Sequence, residues 1–153
     1  MPSSPFFMML CIAALTVALL AAAAPLSSRQ ISGDFQCNLN RLLIVTDLND
    51  LQTTLSILSA KSCDASTNAT IQGIQADIAG AQTAVNAILQ ALVNGQDAPG
   101  NARDQVAGNL TLAQAPLLSL NFTDPVTEAN VIKAQTQFNN SVLAGNGVLQ
   151  NCN

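Results

Sequence analysis

The fold is decided by residues 69–93, which read ATIQGIQADIAGAQTAVNAILQALV. Apolar residues recur in this stretch at steps of three and four without a break, at Ile71, Ile74, Ile78, Ala81, Val85, Ile88 and Leu92. A stripe with this spacing covers one face of an α-helix and is typical of a helix that buries that face. We therefore predict one long amphipathic helix here.

Three further segments carry the same pattern, over about 39–60, 102–120 and 126–149. From the N-terminal segment to the C-terminal one, their stripes are Ile44, Leu48, Leu51, Leu55 and Leu58; Val106, Leu110, Ala113, Leu117 and Leu120; and Val131, Ala134, Phe138, Val142, Gly145 and Leu149. Short polar segments join the helices, so neighbouring helices are expected to run antiparallel. No segment shows the pattern of a strand. The sequence predicts an all-α fold, an antiparallel up-down-up-down helical bundle of four main helices.

Turn and capping residues separate the stripes. Ser66 or Thr67 is predicted to cap the start of the second helix, and Asn-Gly at 94–95 marks its end. Residues 123–126, Thr-Asp-Pro-Val, start the fourth helix with the proline at a first-turn position, where its missing N–H costs nothing. Pro116 falls inside the third stripe and predicts a kink or an early end of that helix.

Two glycines, Gly73 and Gly80, lie inside the second helix among several alanines. Each glycine should destabilise the helix by roughly 1 kcal/mol relative to alanine. The interpretation that we favour is close packing of a neighbouring helix. The alternative is an undersized core that leaves an apolar slot for a ligand.

The start of the chain has no charged side chain up to Ala24, and residues 6–24 are almost wholly apolar. This run ends in four alanines, the small-residue pattern that precedes signal-peptidase cleavage. We predict a secretory signal peptide at 1–23, a flexible lead-in at 24–36 and the helical bundle domain at 37–153. The alternative is a membrane anchor, but no basic cluster follows the run. The mature chain is thus expected to be secreted and extracellular, without an integral membrane span.

Charge and composition exclude several classes of function. Only 9% of the residues are charged and the formal net charge is −4, so the chain offers no phosphate-binding face and no nucleic acid is expected as a partner. His, Trp and Tyr are all absent from the sequence. Their absence removes the commonest general base, the commonest metal ligand and the usual aromatic anchors of binding sites.

Acidic pairs are the remaining candidates for catalysis. Asp47 and Asp50 are one helical turn apart, and Asp97 and Asp104 flank a predicted loop. A solvated helix face explains both pairs better than an acid–base site does. Without histidine a Ser-His-Asp site is impossible, and the usual zinc ligands are lacking. We therefore expect no enzyme activity, no catalytic residue, no metal and no cofactor.

Three cysteines remain once Cys11 leaves with the signal peptide: Cys37, Cys63 and Cys152. The first helix, about 22 residues long, separates its ends by roughly 30 Å, so Cys37 and Cys63 cannot be joined across it. In an up-down bundle the last helix ends beside the start of the first. We predict a disulfide between Cys37 and Cys152, with Cys63 free and, in the simplest interpretation, a small buried residue of the loop.

Four Asn-X-Ser/Thr sequons are candidate glycosylation sites, at Asn68, Asn109, Asn121 and Asn139. Asn68 and Asn121 fall in predicted turns and are the better candidates.

Residues 45–51, Val-Thr-Asp-Leu-Asn-Asp-Leu, and residues 71–78, Ile-Gln-Gly-Ile-Gln-Ala-Asp-Ile, repeat a pattern of Asp, Ile and Leu on long helices. With the Ala-, Leu-, Thr- and Gln-rich, tryptophan-free composition, this pattern resembles the fungal hydrophobic surface-binding protein A and cell-wall galactomannoprotein family. The resemblance covers most of the mature chain. It implies a helical bundle at the cell wall or in the medium that coats hydrophobic surfaces or carries fatty-acid-like lipids.

Two functional hypotheses follow. The first is a non-enzymatic binding protein for hydrophobic surfaces or small lipids. The alternative is a structural or interaction protein of the wall, or a secreted effector with a protein partner. The candidate lipid-binding residues, which would equally form a closed core, are Leu48, Leu51, Leu55, Ile74, Ile78, Val85, Leu110, Leu117, Phe138 and Val142. A large apolar cavity would favour lipid binding, whereas a continuous exposed apolar patch would favour surface coating or a protein partner.

Overall fold

The structure is a computed structural model that describes residues 28–152, with side chains from Phe35 onward. The predicted signal peptide at 1–23, its cleavage site and Cys11 lie outside the described residues. The compact unit that carries the core begins at Asp34.

Four α-helices follow one another along the described part of the chain: α1 Ser28–Lys61, α2 Ala65–Val93, α3 Gly100–Ser119 and α4 Pro125–Asn151. No strand occurs within residues 28–152. The prediction of an all-helical fold with four main helices is confirmed. α1 extends back through residues for which the sequence predicts a flexible lead-in, and residues 28–38 contain no proline that would stop the helix.

The start of α2 differs from the sequence prediction. The Asp64 carboxylate accepts a hydrogen bond from the Thr67 N–H at 2.6 Å, so Asp64 is the capping residue and α2 begins at Ala65. The predicted cap at Ser66 or Thr67 is wrong, because the carboxylate of Asp64 already satisfies the free N–H of the first turn. The hydrogen bond from the Thr67 N–H lowers the pKa of Asp64.

The end of α2 and the start of α4 match the sequence prediction. Asn94 caps α2, and the Gly95 that follows adopts a φ of 70°, a left-handed conformation that glycine reaches without a steric penalty. At α4 the Asp124 carboxylate accepts from both the hydroxyl and the N–H of Thr127, at 2.6 and 2.9 Å, which lowers the pKa of Asp124. Pro125 is the first helical residue, where no N–H is needed.

The helix α3 does not end at Pro116, so the early end that the sequence allows there is wrong. The helix continues through the proline to Ser119. Leu117 and Leu120 follow the proline and are both buried in the core. Their burial holds the last turn in place, which compensates for the missing N–H of a proline so near the helix end.

The hydrophobic core is built from the predicted stripes of all four helices. It comprises Ile44, Leu48, Leu51, Leu55 and Leu58 from α1; Ile71, Ile74, Ile78, Ala81 and Val85 from α2; Leu110, Ala113 and Leu117 from α3, with Leu120; and Val131, Ala134, Phe138 and Ala144 from α4. Most of these side chains are fully buried, and none of them is charged. Burial of the apolar stripes is therefore the main stabilising term of the bundle.

Neutral polar side chains join neighbouring helices along the margins of this core. Four of these hydrogen bonds link α1 to α2: Gln82 Nε2 to Asn49 Oδ1 at 2.8 Å, Gln75 Nε2 to Ser56 Oγ at 3.2 Å, Ser59 Oγ to Asn68 Oδ1 at 2.6 Å, and Gln52 Nε2 to the Gln75 carbonyl at 3.4 Å. Between α1 and α4, the buried Thr54 hydroxyl donates to Gln137 Oε1 at 2.8 Å. Between α4 and α3, Gln135 Nε2 donates to the Leu117 carbonyl at 3.3 Å.

The two glycines inside α2 have different surroundings. A Cβ added at Gly80 would overlap the side chain of Asn109 on α3, so close packing of a neighbouring helix explains this glycine. Gly73 is exposed, and a Cβ there would meet nothing within 4 Å. Close packing of a neighbouring helix therefore explains Gly80 but not Gly73.

This contrast predicts opposite results for two alanine substitutions in the same helix. Gly73→Ala should raise the free energy of unfolding by about 0.5–1 kcal/mol, because alanine loses less conformational entropy in a helix. Gly80→Ala should give no such gain, because its methyl group displaces Asn109, whose Nδ2 donates to the Gln105 carbonyl at 2.8 Å. Urea unfolding of the two variants measures the difference, and equal gains would contradict the packing at Gly80.

Candidate functional site

A cavity of about 400 Å³ opens between the four helices and the α2–α3 connection. This volume lies within the range of about 300–1,000 Å³ that is typical of small-molecule sites. Its apolar lining consists of Ile44 from α1; Val85, Ile88 and Leu89 from α2; Val106, Ala107 and Leu110 from α3; Phe138, Val142, Val148 and Leu149 from α4; and Ala98 from the connection.

The cavity forms where the apolar stripes cease to be fully buried. Ile88, Val106 and Val142 are stripe residues that are only half-buried, and Leu149 is exposed. All four line the cavity. Elsewhere the same stripes bury residues such as Leu51 completely. The structure therefore has both a closed core and a partly open apolar space that continues it.

Two arginines provide the charged side chains of the lining, Arg41 from α1 and Arg103 from α3, and no acidic side chain contributes to it. A side-chain N–H of Arg41 donates to Asn38 Oδ1 at 3.1 Å. The Arg41 Nε is buried and has no hydrogen-bond partner among the described residues. Arg103 is exposed. An apolar chamber with cationic side chains can hold a molecule that has both an apolar part and an anionic part.

A disulfide joins two helices beside the cavity. Cys37 of α1 is bonded to Cys152, which directly follows α4, with their Cα atoms 5.1 Å apart. Cys152 itself contributes to the cavity lining. The predicted Cys37–Cys152 pairing is confirmed. Cys63 is a free cysteine and is exposed between α1 and α2, so its interpretation as a buried loop residue is wrong.

The ten candidate lipid-binding residues separate into two groups. Val85, Leu110, Phe138 and Val142 line the cavity. The other six belong to the closed core and are absent from the lining: Leu48, Leu51, Leu55, Ile74, Ile78 and Leu117. Periodicity alone could not separate the groups, because it locates the buried face of a helix but not the point along its length where packing opens.

The two arginines are the lining residues that the sequence analysis missed. A signal for them was present in the stripes. Arg41 precedes Ile44 by three residues, and Arg103 precedes Val106 by the same step. Each arginine thus continues an apolar stripe by one helical position, on the face that points toward the other helices.

The acidic pairs contribute nothing to the cavity, since Asp47, Asp50, Asp97 and Asp104 are all absent from its lining. Asp47 lines a second groove, which residues of α1 and α4 form. Partial burial raises the pKa of Asp47, and the negative charge of Asp50 raises it further. A groove with one carboxyl group and neutral neighbours offers no second group for acid–base chemistry.

The four sequons occupy different environments. Asn121 is exposed in the non-helical connection between α3 and α4. Asn68 lies inside the first turn of α2, not in a turn between helices, and accepts a hydrogen bond from Ser59. Asn109 is half-buried in α3 against Gly80, whereas Asn139 is exposed on α4. Accessibility therefore favours Asn121 and Asn139 as acceptors of a glycan.

Comparison with known protein families, with curated proteins and with solved structures finds no match to this chain. Within the described residues, no group of three or more His, Cys, Asp or Glu side chains could hold a metal ion. None of the helices that the structure describes is both long and apolar enough to cross a membrane.

Proposed function

We propose that this protein binds small apolar or amphipathic molecules, such as lipids, in the cavity between its helices. The observation that carries the proposal is an apolar chamber of about 400 Å³ to which all four helices contribute. The chamber is partly open, and residues of the apolar stripes that are only half-buried, such as Ile88 and Val142, line it. Its walls are apolar side chains with a few polar groups, which is the usual composition of a small-molecule site.

The topology that we propose for the bundle is the antiparallel up-down-up-down arrangement. Its support comes from contacts between helices. Along α1 the hydrogen-bonded positions rise from Asn49 to Ser56 and Ser59, while their partners on α2 fall from Gln82 to Gln75 and Asn68. Contacts of α1 with α4 also run in opposite directions along the two helices. Cys37, early in α1, is bonded to Cys152 after the end of α4, whereas Thr54, later in α1, contacts Gln137, which lies earlier in α4. In such a bundle the parts of the helices that line the cavity share one end.

The proposal places the protein outside the cell, as a secreted and non-enzymatic binder. A disulfide is compatible with an oxidising compartment, where such bonds persist. The resemblance to the fungal surface-binding and galactomannoprotein family points the same way and adds the cell wall as a location. That family assignment stays a prediction.

A second candidate function is adsorption to a hydrophobic surface or to a protein partner. It is favoured by large apolar side chains that are exposed on all four helices. They are Phe35, Leu42, Leu43 and Ile57 on α1; Val93 at the end of α2; Leu112 and Leu118 on α3; and Val126, Ile132, Leu143 and Leu149 on α4. If the protein has both functions, these exposed side chains would contact the surface and the cavity would hold the lipid.

A cavity-filling substitution tests the first proposal. Ala107 lines the cavity from an exposed position, so Ala107→Trp should fill the space without disturbing the closed core. We expect the unmodified protein to bind the neutral dye N-phenylnaphthylamine with increased dye fluorescence. The substitution should weaken binding at least about tenfold, equivalent to about 1.4 kcal/mol.

The matched control is Ala115→Trp, which places the same side chain at an exposed position of the same helix that does not line the cavity. It should leave dye affinity unchanged. Circular dichroism of both variants verifies that the helices are retained. Equal dye affinity in the two variants, or no dye binding by the unmodified protein, would rule out the cavity as a ligand site.

A further inference from the structure

We propose that the cavity selects amphiphiles that carry a single anionic headgroup, which Arg41 and Arg103 bind while the hydrocarbon part occupies the apolar chamber. This inference rests on the proposed function and adds the chemical class of the ligand. Its basis is the juxtaposition of two cationic side chains, one from α1 and one from α3, with a lining that is otherwise uncharged.

Arg41 lines the cavity from a half-buried position. Its Nε–H is closed to solvent and has no hydrogen-bond partner among the described residues, which destabilises the folded protein, and an anion beside the same guanidinium would offset part of that cost. One of the other N–H groups donates to Asn38 Oδ1 at 3.1 Å. The remaining N–H groups of the guanidinium are the ones that can donate to an anionic oxygen in the cavity.

The charge distribution of the chain points to the same ligand. The whole sequence has five Lys and Arg residues against nine Asp and Glu, yet two arginines and no acidic residue line the cavity. The cavity is thus locally cationic in an acidic protein. Apolar walls strengthen the attraction at the half-buried Arg41, because charges interact more strongly where less water surrounds them, whereas the exposed Arg103 is screened by solvent. A cationic amphiphile would meet the opposite effect.

The headgroup chemistry is that of a compact anion able to accept two N–H groups of a guanidinium. Carboxylates and the oxygens of sulfate or phosphate monoesters both meet this requirement, since the planar fork of arginine pairs with either. Two ligands with the same hydrocarbon chain, one a carboxylate and the other a sulfate, therefore show which of these headgroups the cavity prefers.

The experiment measures displacement of N-phenylnaphthylamine from the full mature chain by four decyl amphiphiles below their micellar concentrations. Decanoate and decyl sulfate carry an anion, decanol is neutral and decyltrimethylammonium is a cation. We expect at least one of the two anions to displace the dye at about tenfold lower concentration than decanol. Decyltrimethylammonium should be the weakest. The anion that displaces the dye at the lower concentration identifies the preferred headgroup.

Three substitutions test whether Arg41 and Arg103 cause the preference for an anion. Arg41→Gln and Arg103→Gln should each weaken the preferred anion about tenfold relative to decanol, measured against the affinity of the same variant for the dye. Lys133→Gln removes the same charge from an exposed position on α4 that does not line the cavity, and should have no effect. Arg103 is exposed, so the second variant remains informative if the half-buried Arg41 proves necessary for folding.

Two results overturn the inference without affecting the proposed function. One is equal weakening by all three substitutions, which would reveal only a general effect of net charge. The other is dye displacement by decanol at the same concentration as the anions. Failure of the dye itself to bind would instead overturn the proposed function and the inference together.

Discussion

Replacing Cys37 and Cys152 together with serine is expected to lower the free energy of unfolding by about 3–5 kcal/mol. The disulfide joins residues 115 positions apart, so its removal releases almost the whole domain in the unfolded state. The gain in conformational entropy of the unfolded chain increases with loop length, and the loss lies at the upper end of the usual range. Since domains are stabilised by only about 5–15 kcal/mol in total, the effect should be large.

Urea unfolding at neutral pH measures this loss, with Cys63→Ser as the control. Cys63 is exposed and forms no disulfide with any described residue, so its substitution should change stability by less than about 0.5 kcal/mol. Because Cys152 also lines the cavity, the double variant should bind N-phenylnaphthylamine more weakly as well. An unchanged unfolding midpoint in the double variant would show that the bridge constrains nothing.

The second large effect is expected from Leu55→Ala. Leu55 has no exposed surface and belongs to the apolar stripe of α1. Removing its isobutyl group leaves a cavity that the surrounding helices fill only in part, which should lower the free energy of unfolding by about 2–5 kcal/mol. Leu42→Ala is the control on the same helix. Its side chain is 62% exposed, so the change should stay within about 0.5 kcal/mol.

Leu55→Ala also tests whether the closed core and the cavity are separate parts of the structure. Leu55 is one of the candidate ligand-binding residues that does not line the cavity, so the folded fraction of Leu55→Ala should keep its dye affinity. Dye titration at low temperature, where the variant remains folded, measures this directly. Loss of dye affinity in the folded variant would mean that the core and the cavity open together.

The helices were predictable because their stripes are long and regular. In α2 the apolar steps of three and four continue over the whole helix, and the same regularity in α1 identified Leu48, Leu51, Leu55 and Leu58, all of which are fully buried. The disulfide was predictable for a related reason. Helix length excludes Cys37 with Cys63, and an up-down order of the helices brings the end of the last helix, where Cys152 lies, beside Cys37.

The cavity could be predicted only in part. A stripe gives the direction in which a side chain points, but the space between helices depends on the shapes of side chains from all of them at once. Val85 and Leu110 are found in the lining, whereas the equally apolar Ile74 and Ile78 lie in the closed core. The arginines could not be predicted from the apolar stripes alone, because Arg41 and Arg103 are charged and lie one helical step before the first apolar residue of their stripes.

The polar contacts between helices have a consequence for the surroundings in which the protein can work. The hydrogen bonds from Gln82 to Asn49 and from Thr54 to Gln137 join amides and hydroxyls, groups that neither titrate nor attract counterions. The acid-sensitive supports are Asp64 and Asp124, whose lowered pKa values keep their stabilising charge until the pH falls through those values. We therefore expect the contacts between the helices to change little in acid or with changing salinity.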